Sequence, residues 1–444
     1  MPLPNADRRQ FLAATGSAFA GLVASGCMSR AALAPSGGST FTDYGPLRPD
    51  PAGILDLPEG FSYRVLSRLG DAMSDGGTVP DKADGMGCID LGDGEIVLVR
   101  NHELVPSDDA GGPIAKGFGT RNGAIVPGGT TNIVLDANTL EVKRQFRTLG
   151  GTIRNCSGGT TPWGSWITCE EAPTGPGQRY GDGLERNHGW AFEIPGNVTG
   201  LVDPVPLRAM GRFNHEAACV DPVTGYVYQT EDRDEGVLYR FLPATPGQLS
   251  DGGRLQAMVI EGLSDTRNWN GAAMPLRQSY RVSWVDLDNV EAPQDDLRMQ
   301  AAAKGAALIA RGEGIHMGKD DLYFCSTSGG AKNLGQIFRL VPGRGSQSDR
   351  IELFFESESK AQFDYGDNLC VAPSGHLLVC EDQYTRTVNN HVRGITPDGR
   401  PYDLAKLNMQ CELAGGCFSP DGKWFFVNAY APTRTFAVTG LWAE

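Results

Sequence analysis

The sequence lacks several features that identify common classes of protein. Lysine and arginine total 39 against 53 aspartate and glutamate residues, so the formal net charge is −14. No basic stripe stands out along the 444 residues, which argues against a nucleic-acid partner. An anionic substrate is still compatible with this charge if bound metal ions reverse the sign of the field locally.

Familiar catalytic and metal-binding motifs are also missing. No G-x-S-x-G elbow, Walker A loop or Rossmann fingerprint occurs in a suitable context. The spacing of the ten cysteines matches no zinc ribbon or finger. Without Cys27 the number is odd, so at least one thiol is free or bound to another group. Two local pairs could form disulfides, Cys370 with Cys380 and Cys411 with Cys417.

The apolar run at residues 13–24 is too short, and too rich in Gly, Ser and Thr, to span a membrane. It follows residues 8–12 (RRQFL), a twin-arginine pattern, so residues 1–34 are predicted to be an export signal. Because this route exports folded proteins, a cofactor could be inserted before export. We therefore expect a periplasmic or extracellular protein.

Two cleavage sites compete within the predicted signal. Residues 24–27 (ASGC) resemble a lipoprotein box, and cleavage there would leave a lipid anchor on Cys27. The alternative is the A-x-A site at residues 32–34. Residues 35–60 are rich in Pro, Gly and Ser and are predicted to form a leader that lies against the following domain.

What the sequence does contain is a high load of turn residues, 59 Gly and 28 Pro. Together with 40% hydrophobic residues, this predicts a large core built from many short elements. The one long helical pattern covers residues 296–310, which we interpret as an insertion.

A unit of turn, strand and polar end recurs six times, which predicts radial repetition. Its predicted strands are 95–100, 165–168, 226–229, 322–325, 377–380 and 424–427. We therefore predict an all-β protein, a six-bladed β-propeller over residues 61–444 with irregular insertions that include the helix. A pair of β-sandwiches is the alternative.

Acidic residues follow most of these strands. If the first strand of each unit lines the central channel, these acids converge at one mouth although they are distant in sequence. Clustered carboxylates raise one another's pKa unless a cation is present, so the convergence predicts bound metal. For any one acid, a solvated loop position is the alternative. The acids are Glu103, Glu171, Glu231, Asp232, Glu313, Glu381 and Asp382.

Residues 153–171 (IRNCSGGTTPWGSWITCEE) are the strongest candidate for the reactive centre. Thiolate is a soft ligand and carboxylate a hard one, so Cys156 or Cys169 together with Glu171 suits a transition-metal or mixed centre. A buried cysteine in an ordinary strand is the alternative. His102 and His215 both occur as Asn-His-Glu, and each is predicted to be a ligand, an orienting group, a general acid or a hydrogen-bonded structural residue. Arg311 could clamp a phosphate or be a cation at the end of a helix.

Residues 155–171 closely resemble the signature of the PhoX-type alkaline phosphatases. The resemblance extends over 99–103, 128–132, 211–218, 311–315, 326–330, 380–383 and 412–428. It implies a phosphomonoesterase, exported by the twin-arginine route, with an iron–calcium cluster in a propeller. The iron pair would be bridged by a cysteinyl sulfur and an oxo group. Residues 389–393, 428–433 and 440–442 depart from the family pattern, which could alter the substrate pocket.

Site roles follow from this resemblance. Cys156 is expected to be the bridging thiolate, with Cys169 as the other candidate. The expected cluster carboxylates are Glu171, Glu216 and Glu313, and the expected phosphate-binding residues are Arg311 and Asn132. The acids predicted to bind calcium are Glu103, Glu231, Asp232, Glu381 and Asp382. We expect a monomer that uses Ca²⁺ and Fe³⁺ on a small phosphate ester. The alternatives are another calcium-propeller hydrolase, lactonase or phytase-like, and a non-catalytic metal- or ligand-binding propeller.

Overall fold

The computed structural model describes residues 43–442. The twin-arginine pattern, both predicted cleavage sites, Cys27 and residues 35–42 of the predicted leader lie outside this range. Within it, no helix is long and apolar enough to cross a membrane. The short helical segments of that range are a 3₁₀ turn at Arg208–Met210 and the helix α1, Leu297–Ala303.

Almost all of the regular structure is antiparallel β-sheet. The strands of the first third are β1 Leu47–Arg48, β2 Leu55–Pro58, β3 Ser62–Arg68, β4 Ala83–Gly92, β5 Glu95–His102, β6 Thr120–Arg121, β7 Ala124–Ile125, β8 Gly128–Asp136 and β9 Val142–Thr152. Those of the middle third are β10 Asn155–Thr160, β11 Ser165–Glu170, β12 Ala191–Pro195, β13 His215–Val220, β14 Val227–Glu231, β15 Tyr239–Thr245, β16 Gln248–Ile260 and β17 Ser279–Asp286. Those of the last third are β18 Gly312–Met317, β19 Leu322–Ser326, β20 Gln336–Val341, β21 Arg350–Glu356, β22 Gly366–Val371, β23 Leu377–Glu381, β24 His391–Ile395, β25 Pro401–Leu407, β26 Leu413–Phe418, β27 Phe425–Ala429 and β28 Arg434–Thr439.

Consecutive strands pair as meanders. One sheet has the order β4-β5-β8-β9, the next β10-β11-β12, and a nine-stranded sheet joins β13–β16 to β18–β21 through β17. A six-stranded sheet runs β22-β23-β24-β25-β2-β1, so residues of the predicted leader form its edge. The last sheet, β26-β27-β28-β3, combines strands from both ends of the described chain. A separate small hairpin pairs β6 with β7.

The first strands of these meanders form a ring. Strands β4, β10, β13, β18, β22 and β26 each pack against the next, and β26 packs against β4. The sheets radiate from this ring, and apolar side chains fill the space between neighbouring sheets. For example, Val97 and Val99 of β5 share one cluster with Trp166 of β11 and Phe192 of β12. The fold is therefore a β-propeller, not a pair of sandwiches.

The predicted strands exist, but their position in each unit was wrong. All six correspond to second strands, namely β5, β11, β14, β19, β23 and β27. The channel is lined by the preceding strands, most of which contain glycine and all of which have an interrupted register with the second strand. The predicted helix over 296–310 is also too long. It ends at Ala303, because Gly305 turns the chain with a φ of 90°.

The cysteines of the described range form no disulfides. All nine are free thiols, including Cys370, Cys380, Cys411 and Cys417, which were expected to pair locally. Most of them are buried in the strands, where they pack as small apolar side chains.

Each ring strand carries a β-bulge near its start. The register with the second strand shifts between Ala83 and Met86 in β4, and the same irregularity recurs in the other five ring strands. A bulge leaves one residue unpaired and re-aims its side chain. The residues within the shifts include Asp84, Cys156, Glu216, Glu313, Asp367 and Gly415.

Candidate metal centre and phosphate site

Three overlapping groups of ligand-type side chains lie at one mouth of the channel. Within each group the donor atoms lie within 4.8 Å of one another. Cys156 belongs to two groups and so does Glu216, so the three form one continuous cluster. The groups are Asp84, Glu103 and Cys156; Cys156, Glu171 and Glu216; and Glu216, Glu313 and Asp367.

The propeller explains why residues so distant in sequence meet here. Five members of the cluster come from the bulges of ring strands β4, β10, β13, β18 and β22. The other two, Glu103 and Glu171, directly follow second strands β5 and β11. Since antiparallel neighbours run in opposite directions, the start of a first strand and the end of a second strand meet at the same mouth of the channel.

The two cysteines of the signature stretch have different surroundings. The Cys156 thiol lies 3.5 Å from Asp84 Oδ2 and is part of the cluster. Cys169 points into an apolar cluster with Ile167, Ala191 and Ala218. Because a metal ligand must share a cation with other donors, Cys156 is the cysteine that the geometry favours.

The cluster carboxyls are buried beside one another without enough positive charge. Burial raises the pKa of Glu216 well above its usual range, and the neighbouring Glu313 and Asp367 raise it further. Burial likewise raises the pKa of Asp84 and Glu313, and burial together with Asp382 raises the pKa of Asp367 to about 7. Both oxygens of Glu216 and Oδ1 of Asp84 have no hydrogen-bond partner within residues 43–442.

These unpartnered oxygens indicate what the site can hold. A buried carboxyl without a hydrogen bond is costly unless it coordinates a cation. A thiolate with several carboxylates is a donor set for iron together with a hard cation such as calcium. The residues present therefore fit a mixed metal centre.

Two arginines flank the cluster. Arg154 forms ion pairs with Glu103, at 2.5 Å from its Nε, and with Glu171 through Nη2. On the other side, Arg311 donates from Nε to Asp232 Oδ1 at 2.7 Å and from Nη2 to Glu313 Oε1 at 2.8 Å. Asp232 therefore positions Arg311 and is not a member of the three groups.

Tyrosine hydroxyls complete the mouth. Arg311 Nη2 also lies 3.1 Å from Tyr384 Oη, and Tyr384 is 63% exposed, so its hydroxyl faces the open side of the site. Tyr430 donates to Glu103 Oε2 at 2.6 Å. Neither tyrosine was identified from the sequence.

Besides Asp232, three other predicted calcium ligands lie outside the three groups. Glu231 accepts a hydrogen bond from Tyr239 at 2.8 Å and faces Arg298 at 3.5 Å. Glu381 is saturated by the Arg393 guanidinium and by the backbone amides of Asp364 and His391. Asp382 lies beside Glu412 and Asp367 and extends the acidic surface.

The predicted histidines and Asn132 are not members of the three groups either. His102 bonds to the Asp81 carbonyl and to Thr131 Oγ1, both at 2.9 Å. His215 stacks on Phe213, and burial lowers its pKa to about 4. Asn132 lies on β8, the third strand of its sheet, where Oδ1 accepts a hydrogen bond from Thr148. Asn132 thus has no contact with Arg311.

Asp84 and Asp367 are ligand-type residues that the sequence analysis missed. Their local sequences share one feature with those of Glu216 and Glu313: in each bulge an acidic residue directly follows a small or polar residue. Asp84 occurs in ADG and Asp367 in GDN, which parallel HEA at Glu216 and GEG at Glu313. The same order also occurs at residues 92–94 and 181–183 (both GDG), so it does not by itself single out Asp84 and Asp367.

Comparisons with known proteins agree with this geometry. A family model described as alkaline phosphatase PhoX matches residues 42–139 and 129–433. Pseudomonas fluorescens PhoX in complex with vanadate, a transition-state analogue, is similar with a TM-score of 0.66 and 19% identity, covering 87% of this chain and 96% of that one. No curated protein matches the sequence.

Other solved propellers are more distant. A gluconolactonase from Xanthomonas campestris has a TM-score of 0.42 and 13% identity, covering 90% of this chain and 99% of that one. The β-propeller domain of Cps50 from Myceliophteria thermophila also has a TM-score of 0.42, with 8% identity, covering 84% and 100% of the two chains.

Fold and site together define a β-propeller with a buried thiolate–carboxylate cluster and an arginine at one mouth of its channel. The family model covers most of the chain. The chain belongs to the alkaline phosphatase PhoX family, and it is a phosphatase.

Proposed function

We propose that this protein hydrolyses phosphate monoesters at a centre that contains iron and calcium. The observation that carries the proposal is the continuous cluster around Cys156 and Glu216. In it, carboxyl oxygens of Asp84 and Glu216 have no hydrogen-bond partner within residues 43–442, and Glu313 accepts a hydrogen bond from Arg311. The residues that would hold the metals are Cys156, Glu171, Glu216, Glu313, Asp84, Glu103 and Asp367. When bound, the cations would neutralise phosphoryl oxygens and act as Lewis acids.

Arg311 is the residue of this chain best placed to hold the phosphoryl group. Asp232 and Glu313 fix its guanidinium through Nε and Nη2. No hydrogen bond or ion pair of Nη1 to residues 43–442 is found, so this nitrogen can donate to the substrate. A fixed, charged donor stabilises the negative charge that develops on the phosphoryl oxygens in the transition state.

Tyr384 supplies a second donor at the same place. Its oxygen accepts a hydrogen bond from Arg311 Nη2, so its own proton is available to a phosphoryl or leaving-group oxygen. Arg154 holds Glu103 and Glu171 in position by its two ion pairs and partly offsets their charge before metals bind.

The proposal also covers the location of the protein, its oligomeric state and its number of blades. The twin-arginine pattern supports export to the periplasm or beyond, and residues 24–27 support a lipid anchor at Cys27. A monomer is part of the proposal. The propeller is proposed to have six blades, which is supported by the six ring strands and by the pairing of β28 with β3.

Full-length protein, exported by its own signal, tests the proposed function. Iron and calcium are measured together with hydrolysis of p-nitrophenyl phosphate in the parent, in Cys156→Ser and in the control Cys88→Ser. Cys88 is a partly exposed thiol outside the three groups. We expect iron and activity to be lost only in Cys156→Ser. Lactone or phytate hydrolysis that survives in iron-free Cys156→Ser would indicate another propeller hydrolase. Bound metals without any turnover would indicate a non-catalytic binding protein.

A further inference from the structure

A pocket of about 280 Å³ opens next to the metal-site residues. Its inner wall includes Arg154, Glu171 and Asn214, and Asn214 Nδ2 donates to Glu171 Oε1 at 2.8 Å. Its outer wall comes from three connections, which lie between β11 and β12, between β14 and β15, and between β17 and α1. The outer residues include Gln178, Arg179, Tyr180, Arg233, Gln294 and Asp295. The pocket thus begins at Arg154 and Glu171 of the metal site. Asn214 Nδ2 also donates to the carbonyl oxygen of Asp232, the residue that holds Arg311, at 3.0 Å.

The outer wall carries positive charge that the protein does not neutralise fully. Arg179 has no ion pair with any residue of the 43–442 range; its guanidinium lies over the Tyr180 ring at 4.8 Å and donates to Tyr180 Oη at 2.9 Å. Within residues 43–442, Arg233 has one long ion pair, 3.5 Å to Asp295 Oδ2. Asp295 is itself shared, since its Oδ1 lies 3.1 Å from Arg298 Nη1.

We propose that this pocket binds the leaving group of the phosphate ester and selects leaving groups that carry an anion, a carboxylate or a second phosphate. Arg179 and Arg233 present guanidinium forks to that anion, and the Tyr180 ring provides a flat surface for its carbon skeleton. The inference rests on the proposed phosphatase function and adds its substrate class.

The test compares two esters that differ by one remote carboxylate, 4-carboxyphenyl phosphate and phenyl phosphate. The quantity measured is the ratio of their kcat/KM values, and comparing this ratio between variants cancels the different reactivity of the two phenols. We expect Arg179→Gln to lower the ratio about three- to tenfold, because it removes a charge-assisted contact that is partly screened by solvent. Arg179→Gln with Arg233→Gln should lower it further, and Arg179→Lys should retain most of it.

Arg208→Gln is the matched control, because Arg208 is a surface residue that pairs with Glu291 outside the pocket. Its ratio should equal that of the parent. An unchanged ratio in Arg179→Gln and in the double variant, with both esters still hydrolysed, would overturn the leaving-group pocket alone. Failure of the metal-replete parent to hydrolyse either ester would overturn the proposed function, and this inference with it.

Discussion

Arg311 and Glu313 are two residues apart, and their side chains hydrogen-bond to each other, yet the structure gives them different tasks. Glu313 belongs to a group of ligand-type atoms, whereas Arg311 is held by Asp232, and its Nη1 makes no hydrogen bond within residues 43–442. Arg311→Lys keeps the charge but loses the fork. We expect kcat/KM to fall about ten- to a hundredfold, from a contact of roughly 1.5–3 kcal/mol, with the metal content unchanged.

Glu313→Gln is the companion variant. We expect its metal content to be lower than that of the parent and of Arg311→Lys, because it replaces a ligand-type carboxylate with an amide. Element analysis of the two variants beside the parent separates the roles. If Arg311→Lys hydrolyses p-nitrophenyl phosphate as well as the parent, Arg311 does not bind phosphate.

Tyr384 was not identified from the sequence, and the structure places its hydroxyl beside Arg311. Tyr384→Phe removes one hydroxyl from an exposed ring and leaves the ring in place over Arg311. The loss of one hydrogen bond to a charged oxygen should lower kcat/KM by about tenfold. The melting temperature should be unchanged, because the side chain is exposed. Steady-state kinetics and a thermal melt check both parts; equal kinetics would remove Tyr384 from the site.

At the scale of elements, the bulged ring strand is the unit that forms the site. Five of the six bulges each place one ligand-type side chain in the cluster, and the ring brings these side chains together; the sixth, in β26, contains Gly415 and Gly416. The strands must approach closely for this. A Cβ on Gly159 of β10 would lie 1.8 Å from the Ala218 carbonyl oxygen of β13.

Gly159→Ala should therefore push β10 and β13 apart and destabilise the protein by about 1–3 kcal/mol. Because Cys156 and Glu216 lie on these two strands, the variant should also bind less metal. Gly200→Ala is the control, since a Cβ at this residue would meet no atom within 4 Å and its φ is unexceptional, so its effect should stay within about 0.5 kcal/mol. Denaturant melts measure both. A Gly159→Ala protein as stable as Gly200→Ala would contradict the close packing of the ring.

The sequence predicted the elements whose patterns are continuous and missed those that the bulges interrupt. The second strands, such as β5, are unbroken apolar runs and were found. The ring strands contain glycines and an irregular register, so Asp84 and Asp367 carried no strand-like pattern around them. Glu216 was identified only through the family resemblance, whereas Glu313 was also among the acids expected to converge at the channel mouth.

The sequence also could not separate a ligand from a paired acid. Glu103 directly follows the second strand β5, and Glu381 is the last residue of the second strand β23. The sequence gives no reason to treat one as a metal ligand and the other as a paired acid. The structure separates them, because Arg393 and the amides around it satisfy Glu381, while Glu103 lies within reach of Cys156. Such partners come from other strands and depend on the closed fold.

At the scale of the whole molecule, the cluster joins most of the propeller. Five of its members lie on the ring strands β4, β10, β13, β18 and β22, and the other two directly follow β5 and β11. Metal bound there would therefore connect every ring strand except β26. A cation that binds only the folded state stabilises it by mass action. Its removal also leaves buried like charges facing one another. We expect chelation to lower the melting temperature as well as activity. An unchanged melting temperature after complete metal removal would count against a shared central site.

The most direct test of the whole account is a stepwise chelation of the purified protein, with iron, calcium and phosphatase activity measured on the same samples. The account predicts that both metals are present at the start. Hydrolysis of p-nitrophenyl phosphate should fall in parallel with their loss, and adding the metals back should restore it. Full activity in protein stripped of both metals would contradict the claim that the bulged ring strands hold the catalytic centre.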